Sequence, residues 1–430
     1  MIFTPAKFNK ILVKLFSPLP PVCFDGEKWV KRFSLIDRLR IFYENIFYKK
    51  FSYYSWKNNL FIIIKHIFIL LLFPIYLPLI LLFKIFDIKI LHINFLQFGA
   101  FVHHVDFLIK QNKLKKKPIK LILLCPKNLV ANKFLAKLFN KEIFVSEGFM
   151  IYLILYPLMH YDLTSIEPWD SETTNYKNIY NKIHKSYNEK NSTYLLNIDD
   201  THISTKNYQN FLIKNNLDHK KFVCFHLRDS GYYNFSSVRD VNVDTYLSVI
   251  NFLLNEKIPV IRFINKNSKK IKTQNEKLYH EFLVDDDNSK AIQYHLIKNS
   301  KFVICTQSGI YNLNSLLKTP FFLTNAIPIN ICGVVKKQDL IIFKKFKLKY
   351  NNEILKFDQI IERNLHMFPE FIAPKNNIEI IENTEDEILD GVKELLSLNN
   401  QKTNDNFLKE IKKFNPFINT DACTPKNFKI

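Results

Sequence analysis

Apolar runs of strand length alternate with amphipathic segments of helix length along most of this chain. In the first half, the pattern predicts strands at 88–98, 119–125 and 142–145 and helices at 101–110 and 129–139. In the second half, it predicts strands at 222–227, 258–263, 302–305 and 320–323 and helices at 243–255, 290–299 and 310–317. Such alternation favours mainly parallel, doubly wound sheets. We therefore expect an α/β protein with two Rossmann-like domains that face a cleft.

The same pattern divides the chain into five parts. These are a basic and aromatic region at 1–59, an apolar segment at 60–86, a first Rossmann-like domain at 87–200, a second one at 210–375, and a C-terminal helix with a polar tail at 376–430. A stretch rich in Asn, Lys, Ser and Tyr at 169–197 predicts the connection between the domains. Thr384 and Glu387 have the spacing of a capping box, so the last helix is expected to begin there.

The apolar segment predicts contact with a membrane. Ile67–Phe83 contains no charged residue, but a spanning helix needs about 20 apolar residues, and Pro74 and Pro78 would kink it. Lysines flank the segment on both sides, so they give no orientation. We expect a kinked, interfacial or re-entrant anchor on an anionic membrane surface. A buried pair of core helices is the alternative.

The charge balance indicates an anionic partner. The chain has 61 basic and 40 acidic residues, a formal net charge of +21. It has no zinc-ligand spacing, no aromatic RNA-binding signature and no basic recognition helix, so we expect no nucleic-acid partner. A nucleic-acid-binding protein stays a rival on the charge alone. Anionic membranes and anionic small ligands fit better. The six cysteines are far apart and form no metal-binding spacing, which indicates reduced thiols and no metal.

One strand end carries the strongest chemical signal. Seven of the 61 basic residues are arginines, and Arg228 follows the strand at 222–227. Strand alternation places His226 and Arg228 on the same face. The planar fork of Arg228 suits a pyrophosphate, to which His226 could donate a hydrogen bond. The alternative is an ion pair of Arg228 with Asp229 or Asp240 that fixes a loop. Asp229 is a candidate acid or base.

A second candidate site follows the strand at 302–305, where the chain turns into a helix at Ser308 and Gly309. Backbone N–H groups at a helix start bind anions. Ser308 could instead serve only as an N-cap.

In the first domain, Gly99 permits close approach of a ligand to the backbone. His104 or Asp106 could then act as a general base for an acceptor hydroxyl. The adjacent His103 and His104 point to different sides of a helix, which disfavours a metal site. A plain helical surface is the alternative for this segment.

The segment His226–Tyr246 resembles the central motif of a bacterial family of glycosyltransferases. That motif reads H-x-R-D-S-x-Y, then R-[ND]-x-x-[IV]-x-x-Y, then a strand that ends V-x-R. The chain matches it at His226, Arg228, Asp229, Ser230, Tyr232, Arg239, Asp240, Val243, Tyr246, Val260 and Arg262. Later and earlier elements of the family match at Lys301, Phe302, Ile304, Ser308, Gly309, Pro320, Asn325, Gly99, Asp106, Ala131, Asn132 and Leu135. Gln97 and Ala100 depart from it, because the family has Arg and His there.

The resemblance implies a GT-B-like pair of Rossmann-like domains. It implies donor or phosphate binding by His226, Arg228, Ser230, Arg239, Arg262, Ser308 and Gly309. Its match at Gly99 and Asn132 implies an acceptor loop there. Taken together with the residue pattern above, the catalytic candidates are Asp106, His104 and Asp229.

The function that we expect is transfer of a sugar from a nucleotide-activated donor to a surface-polysaccharide or lipid-linked glycan acceptor. We expect no metal and no cofactor, and a peripheral or monotopic location at the cytoplasmic face of the inner membrane. The departures at Gln97 and Ala100 support an alternative, an inactive membrane-tethered scaffold or binding protein with the same fold.

Overall fold

The computed structural model describes most of the chain. The described residues are 22–24, 29–31, 56–161, 163–166, 205–231, 237–329, 338–366 and 369–397, with short pieces between 183 and 196 and single residues at 336 and 425. The chain divides into two compact units, Met1–Lys190 and Asn191–Ile430. The predicted connection at 169–197 lies largely outside the described residues, as does the tail after 397.

The first unit is built on a small parallel sheet. Strands β3 (Ile88–Leu91), β4 (Lys120–Leu124), β5 (Phe144–Ser146) and β6 (Ser165–Ile166) lie in the order β5-β4-β3-β6, and every neighbouring pair is parallel. Strands β1 (Val22–Phe24) and β2 (Trp29–Lys31) form a separate antiparallel pair. The predicted strand at 88–98 is shorter than expected. It ends because Asn94 Oδ1 accepts a hydrogen bond from the N–H of Leu96, which turns the chain.

The helices of the first unit follow its strands. They are α1 (Trp56–Ile85), α2 (Phe98–Leu114), α3 (Lys133–Phe139) and α4 (Phe149–Leu155), followed by a 3₁₀ turn at Tyr156–His160. Helix α2 buries Phe101, Val105 and Leu108, which lie on one face at helical spacing. It begins three residues before the predicted start at 101.

Helix α1 contains the apolar segment. Pro74 and Pro78 lie inside it. Ile69, Ile80 and Phe83 are buried, while most of the other large apolar side chains that the structure describes on this helix are exposed. Among the residues that the structure describes, no helix has the length and apolar character needed to cross a membrane. The predicted anchoring of this segment stays a prediction.

The second unit is built on a six-stranded parallel sheet. Its strands are β7 (Val223–His226), β8 (Val260–Ile264), β9 (Tyr279–Leu283), β10 (Val303–Cys305), β11 (Phe321–Ala326) and β12 (Leu340–Phe343). They lie in the order β12-β11-β10-β7-β8-β9. Read from the other edge, this is the doubly wound order 3-2-1-4-5-6, in which the winding direction reverses between β7 and β10. The α/β expectation with parallel sheets is confirmed.

The helices of the second unit are α5 (Thr205–Lys214), α6 (Leu247–Asn255), α7 (Asp287–Lys298), α8 (Phe357–Glu362), α9 (Pro369–Lys375) and α10 (Glu385–Leu396). They include two of those predicted from the pattern and the capped C-terminal helix, together with three that were not predicted, α5, α8 and α9. The predicted helix at 243–255 begins as a 3₁₀ turn at Val243–Tyr246. The predicted helix at 310–317 is wrong in type, because Gly309–Ser315 forms a 3₁₀ helix.

The core of the second unit explains why four of its strands, β7, β8, β10 and β11, were predictable. Val223 and Phe225 share one face of β7 and, with Leu227 just after it, join one buried cluster with residues of α6 and α10. Helix α10 begins at the capping box expected from Thr384 and Glu387. It packs closely on the sheet at Gly391, where an added Cβ would lie 2.3 Å from the ring of Phe322. A short antiparallel pair, β13 (Lys345–Leu348) and β14 (Ile378–Ile381), stands beside this region.

Candidate functional site

The candidate site lies where the sheet of the second unit reverses its winding. Strands β7 and β10 are neighbours there, with Cys305 aligned to His226. The loops that follow them are joined by two hydrogen bonds, from Arg228 N–H to Thr306 Oγ1 at 2.8 Å and from Thr306 N–H to the carbonyl of His226 at 3.1 Å. Ligands of doubly wound sheets bind outside the carboxyl ends of the strands at this reversal. The two strongest sequence candidates, at 226–228 and 306–308, are therefore brought together.

Arg228 is held by a carboxylate. Its Nε donates to Asp240 Oδ1 at 2.8 Å, and Asp240 Oδ2 accepts the N–H of Ser237. The side chain of Arg228 is 3% exposed. The ion pair with Asp240, one of the alternatives left open by the sequence, is thus present. A guanidinium bound through Nε keeps its orientation fixed, which is compatible with a role towards a ligand.

His226 is buried beside two arginines. Burial, and after it the positive charges of Arg262 and Arg228, lower the pKa of His226 to about 4. The imidazole is therefore neutral near pH 7. It can offer a hydrogen bond but no positive charge, so attraction of an anion to this edge falls to the arginines.

Arg262 is buried and donates hydrogen bonds to the strand and the loops next to β8. Its Nη2 donates to Asp229 Oδ2 at 3.3 Å, and its Nη1 donates to Glu281 Oε1 at 3.0 Å and to the carbonyl of Lys269 at 2.6 Å. The side chain is fully buried. The predicted donor-binding role of Arg262 stays a prediction, whereas its observed contacts hold β8, β9 and the loop after β7 together.

Asp229 is fixed by the same cluster. Its Oδ2 also accepts the N–H of Lys269 at 3.0 Å. Its Oδ1 is buried and has no hydrogen-bond partner among the described residues. This carboxylate therefore orients Arg262 with one oxygen and leaves the other beside Gly231.

Gly231 lies in a close contact between two loops. An added Cβ would lie 2.1 Å from the backbone oxygen of Asn267, so no side chain fits there. Ser230, next to it, is exposed, and Arg239 is half-buried. These two predicted donor-binding residues lie in the loop that follows β7, part of which is outside the described residues.

Ser308 does not act as an ordinary N-cap. It precedes the 3₁₀ helix Gly309–Ser315, but its side chain makes no capping hydrogen bond. Its Oγ is buried and has no hydrogen-bond partner within the described part of the chain. The predicted helix-dipole contribution is reduced, because a 3₁₀ helix of seven residues aligns few peptide dipoles. The hydroxyl and the half-buried Gly309 remain as candidate ligand contacts.

A buried polar network lies beside this edge; Asn325 and Tyr246 match the motif, but the sequence did not indicate that they contact each other. Asn325, at φ 52°, exchanges hydrogen bonds with Asn383, from N–H to Oδ1 in both directions, at 2.6 and 2.7 Å. Its Nδ2 donates to Tyr246 Oη, which also bonds Thr324 Oγ1. Gln307 Oε1 accepts the N–H of Ile327. The signal was a run of polar residues at the carboxyl ends of two buried strands, the same signal that picked out His226.

The catalytic candidates of the first unit lie inside it. Asp106 Oδ2 accepts a hydrogen bond from Lys110 Nζ at 2.8 Å, and both side chains are buried. Asp106 is eight residues into α2, about 12 Å along the helix axis from its first residue. His104 is also buried, and burial followed by the nearby His103 holds its pKa well below the usual range. Their predicted role as a general base stays a prediction.

The predicted acceptor loop has two observed roles. Gly99 is the second residue of α2, and Asn132 caps α3 by accepting the N–H of Leu135 at 3.0 Å. Sequence reasoning missed a third feature, His92, which directly follows β3, just as His226 ends β7. The ring of His92 lies 4.9 Å from that of His160, and its N–H bonds the carbonyl of Ile166 at the end of β6.

The cysteines that the structure describes are buried thiols. Cys125, Cys224 and Cys305 are free. Burial raises the pKa of Cys125 to about 12, and it raises those of the other two further. Among the described residues, no three His, Cys, Asp or Glu side chains group as a metal site.

Comparison with known proteins finds only distant structural similarity. No protein-family model matches the chain, and no curated protein matches it. The structure is similar to ADP-heptose LPS heptosyltransferase II of E. coli, with a TM-score of 0.45 and 11% identity over 73% of this chain and 100% of the other. It is similar to a family 9 glycosyl transferase of Veillonella parvula, with a TM-score of 0.34 and 10% identity over 68% of this chain and 78% of the other. It is also similar to E. coli heptosyltransferase WaaC, solved with ADP-2-deoxy-2-fluoro heptose, with a TM-score of 0.33 and 10% identity over 66% of this chain and 98% of the other. At TM-scores of this size the similarity assigns neither a fold family nor an activity.

Proposed function

We propose that the protein is a glycosyltransferase that takes a sugar from a nucleotide-activated donor. The observation that carries the proposal is the reversal point of the second sheet, where the loops after β7 and β10 meet at Arg228, Thr306 and Ser308. This is the position at which doubly wound sheets bind nucleotides. The resemblance of the segment from His226 to Tyr246 to a glycosyltransferase motif gives the edge its chemical assignment.

In this proposal the second unit holds the leaving nucleoside diphosphate. Arg228, held by Asp240, supplies positive charge where negative charge develops as the sugar leaves. His226, neutral at pH 7, donates a hydrogen bond, and Ser308 Oγ offers a second one. Arg262 keeps Asp229 and the loop after β7 in position. Because arginine and hydroxyl donors supply this stabilisation, the proposed reaction needs no metal.

The acceptor is proposed to be a surface-polysaccharide or lipid-linked glycan that reaches the protein at the cytoplasmic face of the inner membrane. The exposed apolar side chains of α1 support a peripheral contact with lipid. The excess of basic residues supports an anionic surface as the partner.

Donor binding tests the proposal. Uridine, adenosine, guanosine and cytidine diphosphates and their sugar conjugates are titrated by calorimetry in EDTA. At least one is expected to bind, and Arg228→Ala should weaken it by about 10- to 100-fold, because a charge-assisted bond to phosphate is lost. The control is Arg363→Ala, an exposed arginine at the end of α8. Ser308→Ala serves as a second variant, because it leaves the Arg228–Asp240 ion pair intact. Absence of binding by all of these compounds would overturn the proposal.

A donor-binding protein without transferase activity is the second candidate. It is favoured by the enclosure of Asp106, the predicted acceptor base, in a buried ion pair with Lys110. Release of nucleoside diphosphate from a bound nucleotide sugar separates the two candidates. Release that is stimulated by membrane lipid extract supports the enzyme, and binding without release supports the second candidate.

A further inference from the structure

Helix α4 presents a second apolar surface that the sequence pattern did not single out. Its sequence is FMIYLIL, and it buries Tyr152 completely while Met150 is 67% exposed and Ile154 is 56% exposed. Ile151, between them, is also exposed. Exposure of three large apolar side chains on one short helix is unusual for a surface that faces water.

One hydrogen bond joins α4 to α1, and Tyr161, which follows the 3₁₀ turn after α4, also contacts α1; from these contacts we infer that the exposed side chains of the two helices belong to one face of the first unit. Tyr76 of α1 donates from Oη to the carbonyl of Ile154 at 2.7 Å. Just after α4, Tyr161 donates to the carbonyl of Ile69, and its ring packs against Phe73. The other large apolar side chains exposed on and directly after α1 are Ile64, Ile67, Phe68, Leu71, Ile75, Leu77, Leu81, Leu82, Ile85 and Phe86.

We propose that α1 and α4 together form one docking surface for an anionic lipid bilayer, with α4 as a second inserting element. The inference rests on the membrane part of the proposed function and names the elements and the lipid class. Residues 56–155 contain fourteen lysines, no arginine and four acidic residues, a net charge of +10. Anionic headgroups complement this charge.

The charge also argues against a second copy of the chain as the occupant. Self-association through this face would bring together two copies of a region whose net charge is +10, and like charges oppose contact. Lipid headgroups of negative charge remove that repulsion while the acyl boundary receives the apolar side chains.

Vesicle binding tests the proposal with a matched pair of triple variants. The test variant carries Met150→Ser, Ile151→Ser and Ile154→Ser. The control carries Ile213→Ser, Leu283→Ser and Ile354→Ser, three large apolar side chains that are exposed in the second unit. Both are sedimented with vesicles of phosphatidylcholine containing about a third phosphatidylglycerol, and with phosphatidylcholine alone, which sets the electrostatic contribution. Calorimetry with the nucleotide that binds in the titrations described under Proposed function checks donor binding separately.

The test variant should bind the anionic vesicles about tenfold or more weakly than the wild type, while the control is unchanged. Retained vesicle binding by the test variant would overturn the proposal. So would loss of self-association, rather than of lipid binding, in the same variant. Failure of donor binding in the wild type would count against the proposed function and not against the lipid surface. Calorimetry measures nucleotide binding and sedimentation measures lipid binding, so each assay reports on one proposal.

A single apolar substitution keeps the proposal testable if the triple variant does not fold. Ile154→Trp and Ile213→Trp are each labelled with 5-fluorotryptophan, so that the new fluorine resonance is distinct from those of the three native tryptophans. Anionic vesicles should shift and broaden the resonance of Ile154→Trp and leave that of Ile213→Trp in place. An unchanged resonance at position 154 would exclude insertion of α4.

Discussion

Replacing Arg262 by Met decides between an internal and a ligand-binding role for that arginine. Arg262 is fully buried and donates to Asp229, Glu281 and the carbonyl of Lys269. Methionine fills a similar volume but leaves two carboxylates in the interior without their cation. Breaking a buried ion pair by removing one partner costs about 3–5 kcal/mol of unfolding free energy. Because Asp229 is buried but Glu281 is 17% exposed and can be solvated, we expect the lower end of that range.

The assay has to report on the second unit. The three tryptophans, at 29, 56 and 169, all lie in the first unit, so fluorescence would follow the wrong transition. Hydrogen–deuterium exchange of the amides of β8 and β9 gives the opening free energy directly. The matched control is Arg363→Met, which removes an exposed arginine and should change the unfolding free energy by less than about 0.5 kcal/mol.

Two results would refute the reasoning about Arg262. Unchanged protection of β8 and β9 in the methionine variant would show that the buried cluster contributes nothing to stability. Loss of nucleotide binding with unchanged protection would instead assign Arg262 to the ligand, as the motif resemblance implies. Lower protection together with weaker nucleotide binding is the expected outcome, because the loop that carries Asp229 loses its support.

Three further perturbations test other parts of the structure. The folded pKa of His226, about 4, lies below its ordinary value of 6.5, so the unfolded chain binds more protons between those values and stability falls as pH falls through that window. Between about pH 7.5 and about pH 5, the wild type should therefore lose about 2 kcal/mol more stability than His226→Gln, measured by hydrogen exchange of the β7 amides. The same pH dependence in both proteins would contradict the assignment. Gly391→Ala should cost about 1–3 kcal/mol through overpacking on Phe322, and Phe322→Leu should relieve it in the double variant; additive losses would contradict the contact. Lys110→Met should lower the unfolding free energy of the first unit by about 3–5 kcal/mol, because Asp106 would be left buried without its cation. Urea unfolding followed by tryptophan fluorescence measures this, and a loss below about 1 kcal/mol would show that the pair is open to water.

The strands around the site were predictable because each is a short, fully apolar run. Residues 222–227 and 302–305 bury every side chain of β7 and β10, so no competing pattern was present. Strand β9 was missed for the opposite reason. It carries Glu281, which reads as polar in the sequence but pairs with Arg262 in the interior. A buried charge can be recognised only when its partner is known, and Arg262 is 19 residues away.

The acceptor side shows where sequence reasoning about a site is weakest. Gly99, His104 and Asp106 were grouped because they follow a strand, but α2 begins at Phe98 and carries Asp106 into the interior. The predicted helix at 101–110 already contained His104 and Asp106, but periodicity could not show that both side chains are buried. The general-base role of His104 and Asp106 stays a prediction, and His92, which follows β3 directly, is a further polar residue at a strand end.

The sequence by itself determined the alternation of strands and helices, the capping box at Thr384, and the placement of His226 and Arg228 at a strand end. These features depend on residues close together in the chain, where periodicity and spacing are sufficient. Only the tertiary structure decided that β7 lies beside β10, so that Arg228 meets Thr306 across 78 residues. It also decided which carboxylate holds each arginine, Asp240 for Arg228 and Asp229 with Glu281 for Arg262. Strand order and ion-pair choice follow from how distant apolar faces pack, because backbone hydrogen bonds are alike for every strand and carry no information about the partner.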